Sequence, residues 1–127
     1  MSSTQSFESV RSPAVASLFY PGNPSDLQQN IRDLLDEASR DVDLPEDSIL
    51  RALIVPHAGY VYSGSTAAKA YRLIKNYRDE FRRIILLGPA HQFWIQGIAC
   101  PGVEAFETPL GRIPLAVTQI REFLRFP

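Results

Sequence analysis

Apolar positions along this chain follow two rhythms. Between residues 26 and 39, Leu27, Ile31, Leu34, Leu35 and Ala38 recur at helical spacing, which predicts an amphipathic helix. Ser25 with Gln28 supplies a capping-box signature just ahead of it. A second helix is expected over 66–78, capped by Ser65 or Thr66, with Ala67, Ala70, Tyr71 and Ile74 on its inner face. "VTQIREFLRF", from Val117, starts a third. The other rhythm is continuous. "LRALIVP" (50–56) and residues 83–88 of "RRIILLG" are apolar nearly throughout, which suits strands buried on both faces. "IQGIACP" predicts a further strand, and "FETPLGRIPLA" predicts two extended arms around a turn at Pro109–Gly111.

Strand, helix and strand over 50–88 make a βαβ unit, which implies parallel strands and a right-handed crossover. The expected class is α/β with a mostly parallel central sheet; the resemblance described below makes it a partial α/β sandwich. Such a sheet needs cover on both faces, and three helical segments supply little of it. The chain therefore reads as a truncated half of a larger domain. Residues 1–10 are polar and are expected to form a flexible N-terminal arm. "VASLFYPGNPSD" reads as a short extended piece broken by prolines, and "DVDLPEDS" as a polar connection. No linker divides 11–127 into separate domains.

Composition narrows the function classes. The 127 residues are 45% hydrophobic and carry a formal net charge of -1, so there is no concentrated basic face for nucleic acid. The longest uncharged apolar run, "IILLGPA", is too short to span a bilayer. "MSSTQSFESVR" lacks the basic and apolar regions of a secretory signal. A single cysteine excludes an internal disulfide framework and suits a reducing compartment, so a cytoplasmic location is the expectation.

The chain has two histidines, and they stand in matched contexts. His57 follows the apolar run ending at Pro56. His91 follows the one ending at Gly88 and Pro89. Both lie just beyond the carboxyl ends of strands expected to be parallel, the edge where open α/β sheets bind ligands. If those strands are neighbours, the two imidazoles converge, with nearest ring nitrogens within about 3 to 5 Å, as two ligands of one metal require. Imidazole is a common metal ligand, but two are only part of a catalytic set. The plainer reading of each is a hydrogen-bonded turn residue. Pro56 and Gly59, and Gly88 and Pro89, suit sharp turns with close backbone approach.

Other residues offer less. Tyr60 and Tyr62 alternate along "YVYS" and either line a pocket or simply pack. Cys100, within an apolar stretch, reads as a small core residue. Ser63 and Ser65 lie near His57 without the G-x-S-x-G elbow of a hydrolase. Gly59 and Gly64 are too sparse for a phosphate loop, and no lysine follows them. Glu104 and Glu107 read as solvated loop acids.

Four segments together carry a resemblance. "RSPAVASLFYPGNPSDL", "IVPHAGYVYSGSTAAKAY", "RRIILLGPAHQ" and "FETPLGRIPLAV" stand in the order and spacing of the Memo-like family, called AmmeMemoRadiSam system protein B in bacteria and archaea. The resemblance runs from about Arg11 to Val117. It implies a fold similar to class III non-haem iron extradiol dioxygenases, with a metal-type pocket. His57 matches the histidine of the family's "PHAGY", and His91 that of its "GPSH", so both are implied metal ligands. Here "GPSH" reads "GPAH": Ala90 replaces a serine whose hydroxyl would help orient His91 or a bound group. Family members are roughly twice as long, and their acidic and cysteine pocket residues lie in the second half. Cys100 does not match that cysteine.

The resemblance implies a fragment that contributes two histidines to an iron- or copper-type pocket. Metal-dependent redox activity is expected only in the full-length context. The alternatives are a non-catalytic module binding a peptide or protein in the same cleft, or an inactive truncated product. The expected partners are an unknown small molecule or peptide, with association through exposed apolar surface and no part for nucleic acid or membrane.

Overall fold

A computed structural model describes residues 9–38, 45, 47–77 and 80–126. Most of the expected N-terminal arm (1–8), most of the "DVDLPEDS" connection (41–44 and 46) and the last residues of the first two expected helices (Ser39 and Arg78) lie outside them. The elements run β1 (Val10–Arg11), α1 (Pro24–Ala38), α2 (Tyr60–Ile74), a 3-10 turn (Lys75–Tyr77), β2 (Ala105–Thr108), β3 (Gly111–Pro114) and α3 (Val117–Phe123). Among the described residues, three helices and a small mixed sheet make the chain α/β. Two compact units divide it: residues 13–82, and the N-terminal residues to Ser12 together with 83 onward.

In the first unit, α1 forms where its periodicity predicts. Its start is set differently. The Asn23 side chain accepts hydrogen bonds from the backbone N–H of Ser25 at 2.9 Å and of Asp26 at 3.2 Å. Asn23 is therefore the cap, and Pro24 takes the first helical position, where a missing N–H costs nothing. Ser25, expected to cap, lies inside the helix. α1 packs on α2. Among the described residues, Leu27, Ala38 and Ala68 are the buried hydrophobic ones, only 3–5% exposed. The Leu34 side chain lies 3.1 Å from where a Cβ on Gly64 would stand. A glycine there lets the helices approach closely.

α2 starts well before the expected residue 66. No residue of "YVYSGS" breaks a helix outright, and the N–H of Tyr60 finds an acceptor in the carbonyl of Phe19, at 2.7 Å. The most buried positions differ from those expected, and Ala67, Ala70 and Ile74 are half-buried. Ser63, Gly64 and Ala68 are buried, while Tyr71, expected inside, is exposed. The segment before α1 is a set of tight turns. The Val15 carbonyl accepts from the N–H groups of Leu18 and Phe19, and the Ser17 N–H donates to the Tyr20 carbonyl at 2.8 Å.

In the second unit, the arms of "FETPLGRIPLA" form a hairpin about the expected turn. β2 and β3 are antiparallel, with Phe106 opposite Ile113 and Glu107 opposite Arg112. Leu110 N–H donates to the Thr108 hydroxyl oxygen, and that hydroxyl donates to the Gly111 carbonyl. Gly111 adopts φ 128°, which a side chain would disfavour. β1 joins β2 in parallel, Val10 opposite Ala105, so with the antiparallel β2–β3 pair the sheet is mixed. Arg11 lies over the Phe106 ring, 5.6 Å from its centre. α3 begins at Val117, as expected.

Three expected strands do not form. Residues 50–56, 83–88 and 95–101 join no ladder among the described residues. Ile84, Ile85, Leu86 and Leu87 are 71–80% exposed. A run that is apolar on both sides becomes a strand only when neighbours take its hydrogen bonds and cover its faces. These segments have neither here, so the expected βαβ unit keeps its helix without its two strands.

Candidate functional site

His57 belongs to the unit spanning 13–82 and His91 to the other. Their convergence is therefore an expectation, and each is described in its own surroundings. His57 is exposed and stands at the mouth of α2. The turn after it is held from two sides. The Ser63 hydroxyl donates to the Ala58 carbonyl at 3.1 Å, which commits that serine to structure rather than to nucleophilic chemistry. Gly59 is buried, and a Cβ on it would lie 3.2 Å from the Phe19 carbonyl oxygen and 3.4 Å from its Cα. The close approach at Gly59 is thus to the Phe19 backbone. At Gly88, before His91, a Cβ would meet nothing within 4 Å. His91 is exposed within an apolar stretch, followed by exposed Phe93 and Trp94.

The tyrosines separate. With 60–74 helical rather than extended, two positions apart means nearly opposite sides of a helix. Tyr60 is half-buried and Tyr62 is 86% exposed. Tyr60 lines a cavity of about 470 Å³ together with Phe19, Tyr20, Asn30 and Leu34. The Tyr20 and Tyr60 rings lie 5.8 Å apart, tilted by 46°. Burial pushes the Tyr60 phenol above its ordinary value, and the neighbouring phenols of Tyr20 and Tyr71 add to the shift. Asn30 was not singled out by the apolar pattern. The available signal was a polar residue inside the 27, 31, 34 stripe of α1.

Of the acids, Glu107 pairs with Arg112 across the hairpin at 3.4 Å, an exposed pair worth under about 1 kcal/mol. Cys100 is a free thiol, half-buried. Among the described residues, no group of three or more His, Cys, Asp or Glu side chains is placed to hold a metal ion. No helix among them is long and apolar enough to cross a membrane.

The Memo-like protein family model matches residues 11–125. A MEMO1 family protein of Aquifex aeolicus is 35% identical over 119 residues, covering 93% of this chain and 41% of that protein. The protein memo-1 homolog of Caenorhabditis elegans is 36% identical over 118 residues, 93% of this chain and 31% of that one. A MEMO1 family protein of Pyrobaculum arsenaticum is 38% identical over 109 residues, 82% of this chain and 38% of its own length. The chain thus spans well under half the length of these relatives. Among solved structures, none matches. The family match extends from Arg11, in β1, through α3, and so takes in both histidine turns and the hairpin: the chain belongs to the Memo-like family.

Proposed function

We infer that this chain supplies His57 and His91 to a single iron- or copper-type centre whose remaining ligands come from the rest of a Memo-like fold. The observation that carries this reading is the family match over 11–125, which takes in both histidine turns. The donor set supports it in part. Neutral imidazole suits iron and copper. Two imidazoles fall short of the three protein ligands usual in a catalytic site, and no third ligand is grouped with either among the described residues. The residues present fit a share of the centre rather than the whole of it. No reaction step is therefore derived through the metal.

On this reading the metal-dependent activity, of a redox kind, belongs to the completed fold, which resembles a class III dioxygenase-like α/β sandwich. The 127 residues alone are inert. The exposed apolar residues 84–87 mark surface that further parts of such a fold would cover. The free Cys100 is in keeping with a reducing cytoplasm.

The test is metal retention set beside function. Iron(II) or copper(II) is equilibrated with the chain, alone and joined to the remaining portion of a Memo-like relative, and bound metal and oxygen uptake are measured. Weak binding by the chain alone, tight binding by the completed protein, and loss of both on His57→Ala support the reading. Affinity for a peptide that chelators leave unchanged, with no metal retained, would favour the binding module instead.

A further inference from the structure

Two tyrosines far apart along the chain meet where the turns at 13–23 join α2. The Tyr20 and Tyr60 rings lie 5.8 Å apart, tilted by 46°. Packing alone accounts for a tilted ring pair at that distance. What packing leaves unused is the chemistry of two phenols held side by side. The electrostatic influence of the Tyr20 phenol adds to the upward shift of Tyr60, so the two hydroxyl groups are close enough to feel one another. Both residues line the same half-open groove, which lets a small oxidant in solution reach either ring. The backbone behind each ring is fixed. The Tyr60 N–H donates to the Phe19 carbonyl at 2.7 Å, and the Tyr20 carbonyl accepts from the Ser17 N–H at 2.8 Å. Other tyrosines lack such a partner. Tyr77 meets Phe81, with ring centres 6.5 Å apart, and that ring has no hydroxyl to oxidise. Tyr62 stands exposed.

We propose that Tyr20 and Tyr60 are an oxidative modification site, at which an activated peroxide joins the two phenols as a dityrosine. Each phenol gives up one electron and its hydroxyl proton. The two phenoxyl radicals then bond through the ring carbons next to their oxygens. The ring hydrogens at the new bond move, as protons, to those oxygens and restore both aromatic rings. The net loss is two electrons and two protons, which the peroxide takes up as its O–O bond breaks. The rings must turn to bring the bonding carbons together, a motion that the open side of the groove permits. The product ties Tyr20 covalently to Tyr60, across the joint between the Tyr60 N–H and the Phe19 carbonyl. It closes a long loop of chain, and so stabilises chiefly by constraining the unfolded state, as a disulfide does. The site uses neither histidine, and it stands or falls independently of the metal reading.

Photo-oxidation tests this, with a ruthenium trisbipyridine sensitiser and peroxodisulfate as the peroxide. The 127-residue chain is irradiated at low concentration, the monomer is separated, and its linked peptides are sequenced by mass spectrometry. The monomer should show dityrosine fluorescence and a mass lower by the two lost hydrogens, with Tyr20 joined to Tyr60. Tyr20→Phe and Tyr60→Phe should each abolish the link within the chain, and Tyr62→Phe should leave it. In urea, where no fold holds the pair together, the Tyr20–Tyr60 link should lose its lead over other tyrosine pairs. The linked monomer should melt at a higher temperature than the unlinked one. Tyr60 joined to Tyr71 instead, dityrosine found only between chains, a Tyr20–Tyr60 link as abundant in urea as in the folded chain, or no rise in melting temperature would overturn the proposal.

Discussion

The backbone N–H of Tyr60 donates to the carbonyl of Phe19 at 2.7 Å. One hydrogen bond thus joins the turns at 13–23 to the first residue of α2. It supplies an acceptor that no side chain provides, because Gly59, in the capping position, has none. The turn after His57 is built beside this joint: Gly59 lies where a Cβ would crowd the Phe19 backbone, and the Ser63 hydroxyl donates to the Ala58 carbonyl from within the helix.

Two glycine substitutions should separate by what they strike. In Gly59→Ala the new methyl would lie 3.2 Å from the Phe19 carbonyl oxygen, part of a backbone held by its own bonds. The backbone at Gly59, φ -56° and ψ 153°, accepts alanine without strain, so the cost is steric, about 1 to 2 kcal/mol. In Gly64→Ala the methyl meets the end of the Leu34 side chain, which can turn aside, and alanine gains up to about 1 kcal/mol of helix propensity. Thermal unfolding should show Gly59→Ala clearly lower than Gly64→Ala. The reverse order would mean that the joint at Phe19 is not tight.

Tyr60 sets an expectation on the alkaline side. Its folded-state value is raised, chiefly by burial, so the folded chain keeps this proton to higher pH than the unfolded chain, whose phenol releases it near about 10. Stability from this group is complete below about pH 10 and is lost as pH climbs from there through the folded value. The phenolate absorbance of the five tyrosines should contain a late-rising component that Tyr60→Phe removes. The same variant should flatten the fall in melting temperature above pH 10. A late component that survives the substitution would place the buried phenol elsewhere.

The exposed apolar run at 84–87 should make the isolated chain associate. Wet apolar surface forfeits about 25 cal/mol per Å², and backbone without strand partners invites pairing between chains. Sedimentation of residues 1–127 should show concentration-dependent oligomers. Ile84→Asp with Leu86→Asp should shift the chain toward monomer while leaving its far-ultraviolet dichroism unchanged. A monomer at all concentrations, unfolding in one sharp transition, would contradict this.

Local signals were legible in the sequence, and signals that depend on distant partners were not. α1 follows from five apolar residues at helical spacing. The hairpin follows from Pro109 to Gly111 between extended arms. The start of α2 was missed because its acceptor is a backbone carbonyl at Phe19, which leaves no mark in the residues near Tyr60. β1 was missed because Val10 pairs with Ala105, far along the chain. The runs at 50–56 and 83–88 carry a strand pattern that only neighbours can realise, so the pattern describes what those segments are suited to rather than what the described residues let them form. The histidine turns were conspicuous by their prolines and glycines. The cavity was not, because its walls come from the turn residues 17–21, from α1 and from the start of α2, which meet only in the folded chain.

The central claim is that His57 and His91 serve one metal ion, and a double-mutant cycle of copper(II) affinity tests it most directly. Stoichiometry and affinity are measured for the chain, His57→Ala, His91→Ala and the double variant, at a pH where imidazole is neutral and can ligate. The account predicts one ion per chain, held by two imidazole nitrogens. Each single substitution should weaken it at least about tenfold, ~1.4 kcal/mol, and the second should add much less than the first, the mark of coupled residues. Two ions per chain, each abolished by one substitution and indifferent to the other, would show that the histidines act apart and would contradict the shared centre.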